Sequence, residues 1–288
     1  MPTTLITPAE LAPHLDDPQW AIIDCRFELA RPQFGADAWA ASHVPNAQYA
    51  HLDRDLSGPR ESGSGRHPLP DPVALAATLG RLGIDASVQV VAYDQGAGAF
   101  AARLWWLARW LGHPRVAVLD GGFAAWERAG LPVSTAATPR AARRFSGRPD
   151  PTQLTTTAEV VQLVASGALE RGERVLVDAR GADRFRGENE GIDPVAGHVP
   201  GARSHPFSRN HDTAGHLLPA RELRGAWEET LRGAPATRLI AMCGSGVTAC
   251  HNLLALEIAG LPGGRLYTGS WSEWIRDPAR PVARGAQS

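Results

Sequence analysis

The chain has 288 residues, 43% hydrophobic and 20% charged, which suits a globular protein of two domains of about 140 residues better than one. Its 29 basic and 30 acidic residues leave a net charge of −1, which argues against a dedicated nucleic-acid binder or a basic membrane-surface protein. Every basic residue is Arg, so Schiff-base chemistry, pyridoxal-phosphate attachment and the phosphate-gripping Lys of a P-loop are ruled out.

The first cation is Arg26, so the N-terminal stretch lacks the basic start of a secretory signal and the Arg-rich face of a transit peptide. No apolar run approaches the ~18 residues of a membrane span. Three cysteines are too few for a disulfide scaffold, and the expectation is a cytoplasmic protein. Ala21–Asp24 is the first predicted strand. A helix over Pro72–Leu79 should stop at Gly80, a strand follows over Val88–Tyr93, and a helix over 98–111 should stop at Gly112. Val116–Leu119 is the next strand. Pro, Gly and small polar residues over 133–151 mark a boundary, with a first domain over 1–138, a linker over 139–151 and a second domain over 152–288. Beyond it come strands Val175–Asp178 and Leu239–Met242, then a helix over 247–259 ending at Gly260.

The two halves repeat one another. Ala21-Ile-Ile-Asp-Cys-Arg26 resembles Val175-Leu-Val-Asp-Ala-Arg180, and Ser42-His-Val-Pro-Asn-Ala47 resembles Gly197-His-Val-Pro-Gly-Ala202. Val90–Asp94 matches Leu239–Cys243, and Gly122–Trp126 echoes Ser270–Trp274. All four pairs are offset by about 150 residues, too long for a solenoid unit and right for a duplicated globular domain. Continuous apolar strands alternating with helices predict an α/β fold in which each half is a mainly parallel sheet flanked by helices. Ligands in such folds bind where strand C-termini meet helix N-termini.

One such junction carries chemistry. An apolar strand ends at Met242 and runs into Cys243-Gly-Ser-Gly-Val-Thr248. Two glycines within three residues let the backbone curl around the sulfur, and no proline lies between Gly244 and Thr248, so five amides can donate. Curled amides at a helix start make a nest for a thiolate or persulfide. Hydrogen bonds to a charged acceptor contribute about 1.5–3 kcal/mol each, so several converging amides suffice without a cation. Cys250 and Cys25 lack such a setting and read as structural. Neither the Cys-x6-Cys-His run nor the histidines at 198, 205, 211 and 216 form a zinc pattern, and no metal or cofactor is expected.

The Cys243–Thr248 loop, Gly197–Ala202 and Gly269-Ser-Trp-Ser-Glu-Trp274 together resemble the tandem-domain rhodanese-type sulfurtransferases, over essentially the whole chain. The resemblance implies a catalytic second domain and a silent first one, where Asp94 stands opposite Cys243. It implies that Cys243 carries a persulfide between a sulfur donor, 3-mercaptopyruvate or thiosulfate, and a thiol, cyanide or thioredoxin-like acceptor. The neutral loop resembles the mercaptopyruvate-using branch; thiosulfate-using members place cations where Gly244 and Ser245 stand. By motif position, Ser245, His67 and Asp53 would handle protons, which predicts a site shared between the halves. Arg184 would bind the donor carboxylate, with Gly244, Gly246, Val247 and Thr248 forming the substrate loop. The second arginine of eukaryotic members is missing; Asp193 occupies that stretch, and Arg186 or Arg203 could substitute. Asp178 and Arg180 are expected to tie the strand end to neighbouring loops.

Two other readings compete with this one. A tyrosine-phosphatase-like activity needs Cys-x5-Arg, but the sixth residue after Cys243 is Ala249. A non-catalytic persulfide carrier or binding module is the other; the chain keeps both the cysteine and the glycine loop, and turnover of a small-molecule donor would separate enzyme from carrier.

Overall fold

The computed structural model describes residues 1–286 and divides into two compact units. The first comprises Met1–Gly58, Leu69–Asp150 and His211–Leu217; the second comprises Pro59–Pro68, Pro151–Asn210 and the chain from Leu218. Residues 287 and 288, the end of the predicted second domain, lie outside the described residues.

In the first unit the strands are β1 (Leu5–Ile6), β2 (Trp20–Asp24), β3 (Gln48–Tyr49), β4 (Gln89–Tyr93) and β5 (Val116–Leu119). They form one sheet of order β1-β5-β4-β2-β3, parallel throughout. The second unit repeats this with β6 (Leu154–Thr155), β7 (Val175–Asp178), β8 (Arg203–Ser204), β9 (Leu239–Met242) and β10 (Arg265–Tyr267), ordered β6-β10-β9-β7-β8 and again parallel. Every residue of β2, β4, β5, β7 and β9 is buried, as continuous apolar runs covered on both faces require. The predicted α/β architecture of two flanked parallel sheets is therefore present. Among the described residues no helix is long and apolar enough to cross a membrane.

Two predicted helix boundaries hold better than the third. The helix Ala101–Trp110 precedes Gly112 (φ 82°), and Thr248–Ile258 precedes Gly260 (φ 69°). The helix beginning at Pro72, capped by Asp71 on the amides of Val73 and Ala74, runs through Gly80 to Arg81. The left-handed turn comes at Gly83 (φ 74°). Gly80 lacks a side chain for a different reason: a Cβ there would lie 2.5 Å from the carbonyl oxygen of Arg143. That approach belongs to residues 139–150, an extended strap of the first unit. Arg143, Arg148 and Asp150 donate their amides to the carbonyls of Gly80, Leu111 and Trp110.

The repeated Asp-x-Arg pairs tie strand ends to loops in both units. Arg26 pairs with Asp24 at 2.6 Å, reaches the Ser42 carbonyl and lies over Phe123; Arg180 pairs with Asp178 at 2.7 Å, reaches the Gly197 carbonyl and lies over Trp271. In the second sheet the chain leaves β7 for β8 on one side, then crosses to place β9 on the other. The loops after β7 and β9 thus diverge at the C-terminal edge, where an open parallel sheet forms a crevice.

Candidate active site

Cys243 follows β9 directly and is buried, with 2% of its surface exposed. Gly246 turns the loop with φ 77°, and a Cβ there would meet the Thr268 carbonyl oxygen at 2.8 Å, so position 246 requires glycine on both grounds. The turn aims the amides of Gly246 and Ser245 at Cys243 Sγ, at 3.1 and 3.4 Å. Five amides were expected; among the described residues these two reach the sulfur. Helical conformation is already set at Val247 (φ −90°, ψ −66°), so the curl ends at Gly246, with Val247 buried and Thr248 half-buried opening the helix. The loop is pinned from the next strand–helix turn. Ser270 Oγ accepts from the Cys243 amide, while the amides of Trp271 and Ser272 donate to the carbonyls of Cys243 and Gly244.

The first unit builds the same turn around a carboxylate. Asp94 follows β4, and its carboxylate accepts the amides of Gly96, Gly98, Phe100 and Ala101 at 2.8–3.2 Å. The amides of Phe123 and Ala124 hold the carbonyls of Asp94 and Gln95, as those of Trp271 and Ser272 hold Cys243 and Gly244. Duplication has thus kept an anion cradle in both units, filled by a fixed carboxylate in one and by a thiol in the other.

The segment 59–68 belongs to the second unit although it lies in the first half of the sequence. Gly65 allows the close fit, since a Cβ there would lie 2.8 Å from the Gly269 carbonyl oxygen, and the Arg66 amide donates to Ser272 Oγ. His67, 1% exposed, is thereby placed with Nδ1 2.7 Å from Ser245 Oγ. The predicted His67–Ser245 pairing forms within one unit. Asp53 belongs to the first unit, on the short helix Leu52–Asp55, where its amide donates to His51 Nδ1.

Arg184 comes from the helix Ala182–Arg186 after β7. It grips Glu190 through Nε and Nη2 at 2.9–3.1 Å and Asp193 through Nη2 at 3.0 Å. Asp193, 2% exposed at its side chain, also pairs with Arg66. A Cβ on Gly244 would lie 2.9 Å from Arg66 Nη2 and 3.8 and 3.9 Å from Arg184 Nη2 and Nη1, so both guanidiniums stand over the cysteine loop. Burial raises the Glu190 carboxyl, and hydrogen bonds from Arg184, Asp193 and Ile192 outweigh it, leaving it below the ordinary carboxylate range.

The suggested substitutes for a second arginine are engaged elsewhere: Arg186 pairs with Glu188, and Arg203 donates to the carbonyls of Thr230 and Leu231. Arg66 went unnoticed in the sequence. Its partner is 127 positions away, and the only local signal is its place beside His67. The remaining cysteines are buried. Cys250 donates its thiol to the Gly246 carbonyl at 3.3 Å; burial and then the carboxylates of Asp24, Asp94 and Asp55 push the Cys25 thiol well above its usual range.

Residues 7–129 and 161–277 each match the rhodanese-like domain. A protein of Pseudomonas aeruginosa, "Probable 3-mercaptopyruvate sulfurtransferase", is 49% identical over 283 residues, covering 98% of each chain. The "Thiosulfate sulfurtransferase" of Gallus gallus is 36% identical over 237 residues, covering 81% of this chain and 78% of that one. The crystal structure of SseA from Escherichia coli, described as a 3-mercaptopyruvate sulfotransferase, superposes with a TM-score of 0.80 at 30% identity, covering 94% of this chain and 100% of that one. The chain belongs to the rhodanese-like family, as a sulfurtransferase with two such domains.

Proposed function

We propose that the enzyme moves a sulfane sulfur from 3-mercaptopyruvate through a persulfide on Cys243 to a thiol or cyanide, with a thioredoxin-like protein as one acceptor. The carrying observation is the 2.7 Å contact between His67 and Ser245, whose own amide points at the Cys243 sulfur. The two candidate donors differ in what they demand. With mercaptopyruvate, the Cys243 thiolate attacks the donor's thiol sulfur and the carbon–sulfur bond breaks. Its electron pair becomes the enolate of pyruvate, and the thiol proton must travel to the enolate carbon. With thiosulfate, the sulfur–sulfur bond breaks, sulfite leaves, and no proton moves. A buried histidine and hydroxyl at the sulfur serve the first reaction and are idle in the second.

Charge supports the same donor. Arg184 and Arg66 are matched by Glu190 and Asp193, so the cluster has no surplus of cations to draw a dianion and suits a single carboxylate. Arg184 binds that carboxylate in this reading, and Gly244, Gly246, Val247 and Thr248 form the loop against which the donor lies. Asp53 completes the proton-handling set by motif position. The acceptor then attacks the outer persulfide sulfur and restores the Cys243 thiolate. The first domain stays silent because Asp94 cannot hold sulfane sulfur. Three free cysteines suit a reducing, cytoplasmic setting.

Steady-state turnover of both donors by wild type, Ser245→Ala and His67→Asn tests the reading. Mercaptopyruvate turnover should fall by roughly 10²–10⁴-fold while thiosulfate turnover changes by no more than about threefold. An equal loss with both donors would remove the proton-handling role and with it the donor assignment.

A further inference from the structure

We propose that the second unit carries an anion pocket separate from the cysteine loop, built by Arg203, Arg232 and Arg284, and that its ligand is a small molecule bearing a phosphate group.

The pocket is a cleft of about 410 Å³, room enough for a small ligand. It lies at the opposite edge of the sheet from Cys243. Arg203 opens β8, and Arg232 closes the helix Ala220–Leu231 that leads to β9, so both stand near strand starts, whereas Cys243 follows a strand end.

Three guanidiniums line the cleft against one carboxylate, Glu170. Arg203 is fixed in place, with Nη1 donating to the carbonyls of Thr230 and Leu231. Arg284 donates through Nε to the Ala196 carbonyl at 3.3 Å, and among the described residues neither it nor Arg232 has an ion-pair partner. Burial and then the charge of Arg232 hold the Arg203 guanidinium below its ordinary range, as expected of cations that face each other with too little negative charge between them. Arg232 also sits in the left-handed region, at φ 51° and ψ 44°, where a side chain is disfavoured and glycine would not be. An anion in the cleft would relieve the crowded charge, and a phosphate presents the oxygens that guanidinium forks pair with. Leu169 and Pro200 give the cleft an apolar wall.

The first unit closes the corresponding groove with its own chain. His43 pairs antiparallel with Ser134 as His198 does with Ala283. Beyond that pairing, His43 Nε2 lies 3.2 Å from the Ala136 carbonyl oxygen, Gln48 donates to the Thr138 carbonyl, and a Cβ on Gly83 would lie 2.8 Å from Arg140 Cβ. Gln48 opens β3 as Arg203 opens β8, and Gly83 (φ 74°) follows its helix as Gly233 (φ 83°) follows Ala220–Leu231. A Cβ on Gly233 would meet nothing within 4 Å among the described residues. One copy of the repeat thus keeps a neutral glutamine under a strap, and the other keeps an arginine in an open cleft.

The test is calorimetric titration of inorganic phosphate and of glycerol phosphate, with glycerol as the uncharged control. The proteins are wild type, Arg232→Gly, Arg284→Ala and Arg31→Ala, an exposed arginine of the first unit. Arg232→Gly suits the left-handed turn, so folding is kept. We expect saturable binding of both phosphates to wild type and to Arg31→Ala. Arg232→Gly and Arg284→Ala should each weaken it by about tenfold to a hundredfold, the worth of one hydrogen bond to a charged group. Tighter binding of glycerol phosphate assigns a phosphate ester as the ligand, and equal affinities assign free phosphate. KM for mercaptopyruvate should stay at its wild-type value in Arg232→Gly, because the cleft is at the other edge of the sheet. Absence of saturable binding to wild type at millimolar phosphate would overturn the proposal, as would wild-type affinity in both cleft variants. A hexaglutamate peptide that binds more tightly than either phosphate, and loses that affinity in the same variants, would overturn the small-molecule assignment.

Discussion

The Asp94 cradle allows the anion-nest argument to be tested away from catalysis. Asp94 is 3% exposed and its two oxygens accept four amides, from Gly96, Gly98, Phe100 and Ala101. Asp94→Ala removes the acceptor and leaves those four donors pointing into a small void. An unsatisfied buried amide costs about 1–3 kcal/mol, and the loss is offset by relief of the carboxylate's own burial and by entry of water. The net destabilisation expected for the first unit is about 3 kcal/mol. Asp94→Asn should be nearly as harmful: one side of its amide still accepts from Gly96 and Gly98, but the NH2 opposes the amides of Phe100 and Ala101. Asp94→Cys recreates what the second unit carries and should be the mildest of the three. Hydrogen exchange over residues 94–101 reports the loop directly, with urea unfolding as the global measure. If Asp94→Ala exchanges like wild type and costs less than about 1 kcal/mol, the converging amides do not act as an anion nest, and the parallel reading of Cys243 loses its support.

Two further outcomes follow from the second unit. His205 is held near pKa 4, chiefly by burial against Trp227, with Thr230 and Asn210 as partners. Between pH 6.5 and 4 the unfolded chain takes up a proton that the folded chain refuses, so stability should fall as pH drops through that window, by roughly 3 kcal/mol in all. Urea titrations at pH 4.5 and 7 should show this slope in wild type and a smaller one in His205→Gln. Gly246→Ala must place a Cβ 2.8 Å from the Thr268 carbonyl at φ 77°, which should displace the loop and abolish turnover with either donor; retention of more than about a tenth of the activity would show the turn is dispensable.

Five of the six interior strands were legible because burial on both faces leaves an unbroken apolar run; the sixth, Arg265–Tyr267, is three residues long, begins on an arginine and offered no such run. The edge strands Leu5–Ile6, Gln48–Tyr49, Leu154–Thr155 and Arg203–Ser204 were not legible: two residues carry no periodicity, and their pairing is settled by neighbours far away in sequence. Gly80 misled because glycine marks both helix ends and close approaches, and only the position of Arg143 distinguishes them. Within the site, the turn at Cys243 could be read from one strand, two glycines and a helix. Its amide count could not, since that depends on where helical conformation begins. The His67–Ser245 pair entered through resemblance, whereas nothing local announced that 59–68 packs with the second unit. Arg66 stayed hidden because its meaning lies in sharing Asp193 with Arg184, a three-residue relation across distant segments.

The central claim is that Cys243 is the sulfur carrier. Intact-protein mass spectrometry after donor treatment, with peptide mapping, addresses it directly. The account predicts a gain of about 32 Da located on Cys243, removed by cyanide or thiol and absent in Cys243→Ser. A gain that persists in Cys243→Ser, or that maps to Cys250, would contradict it.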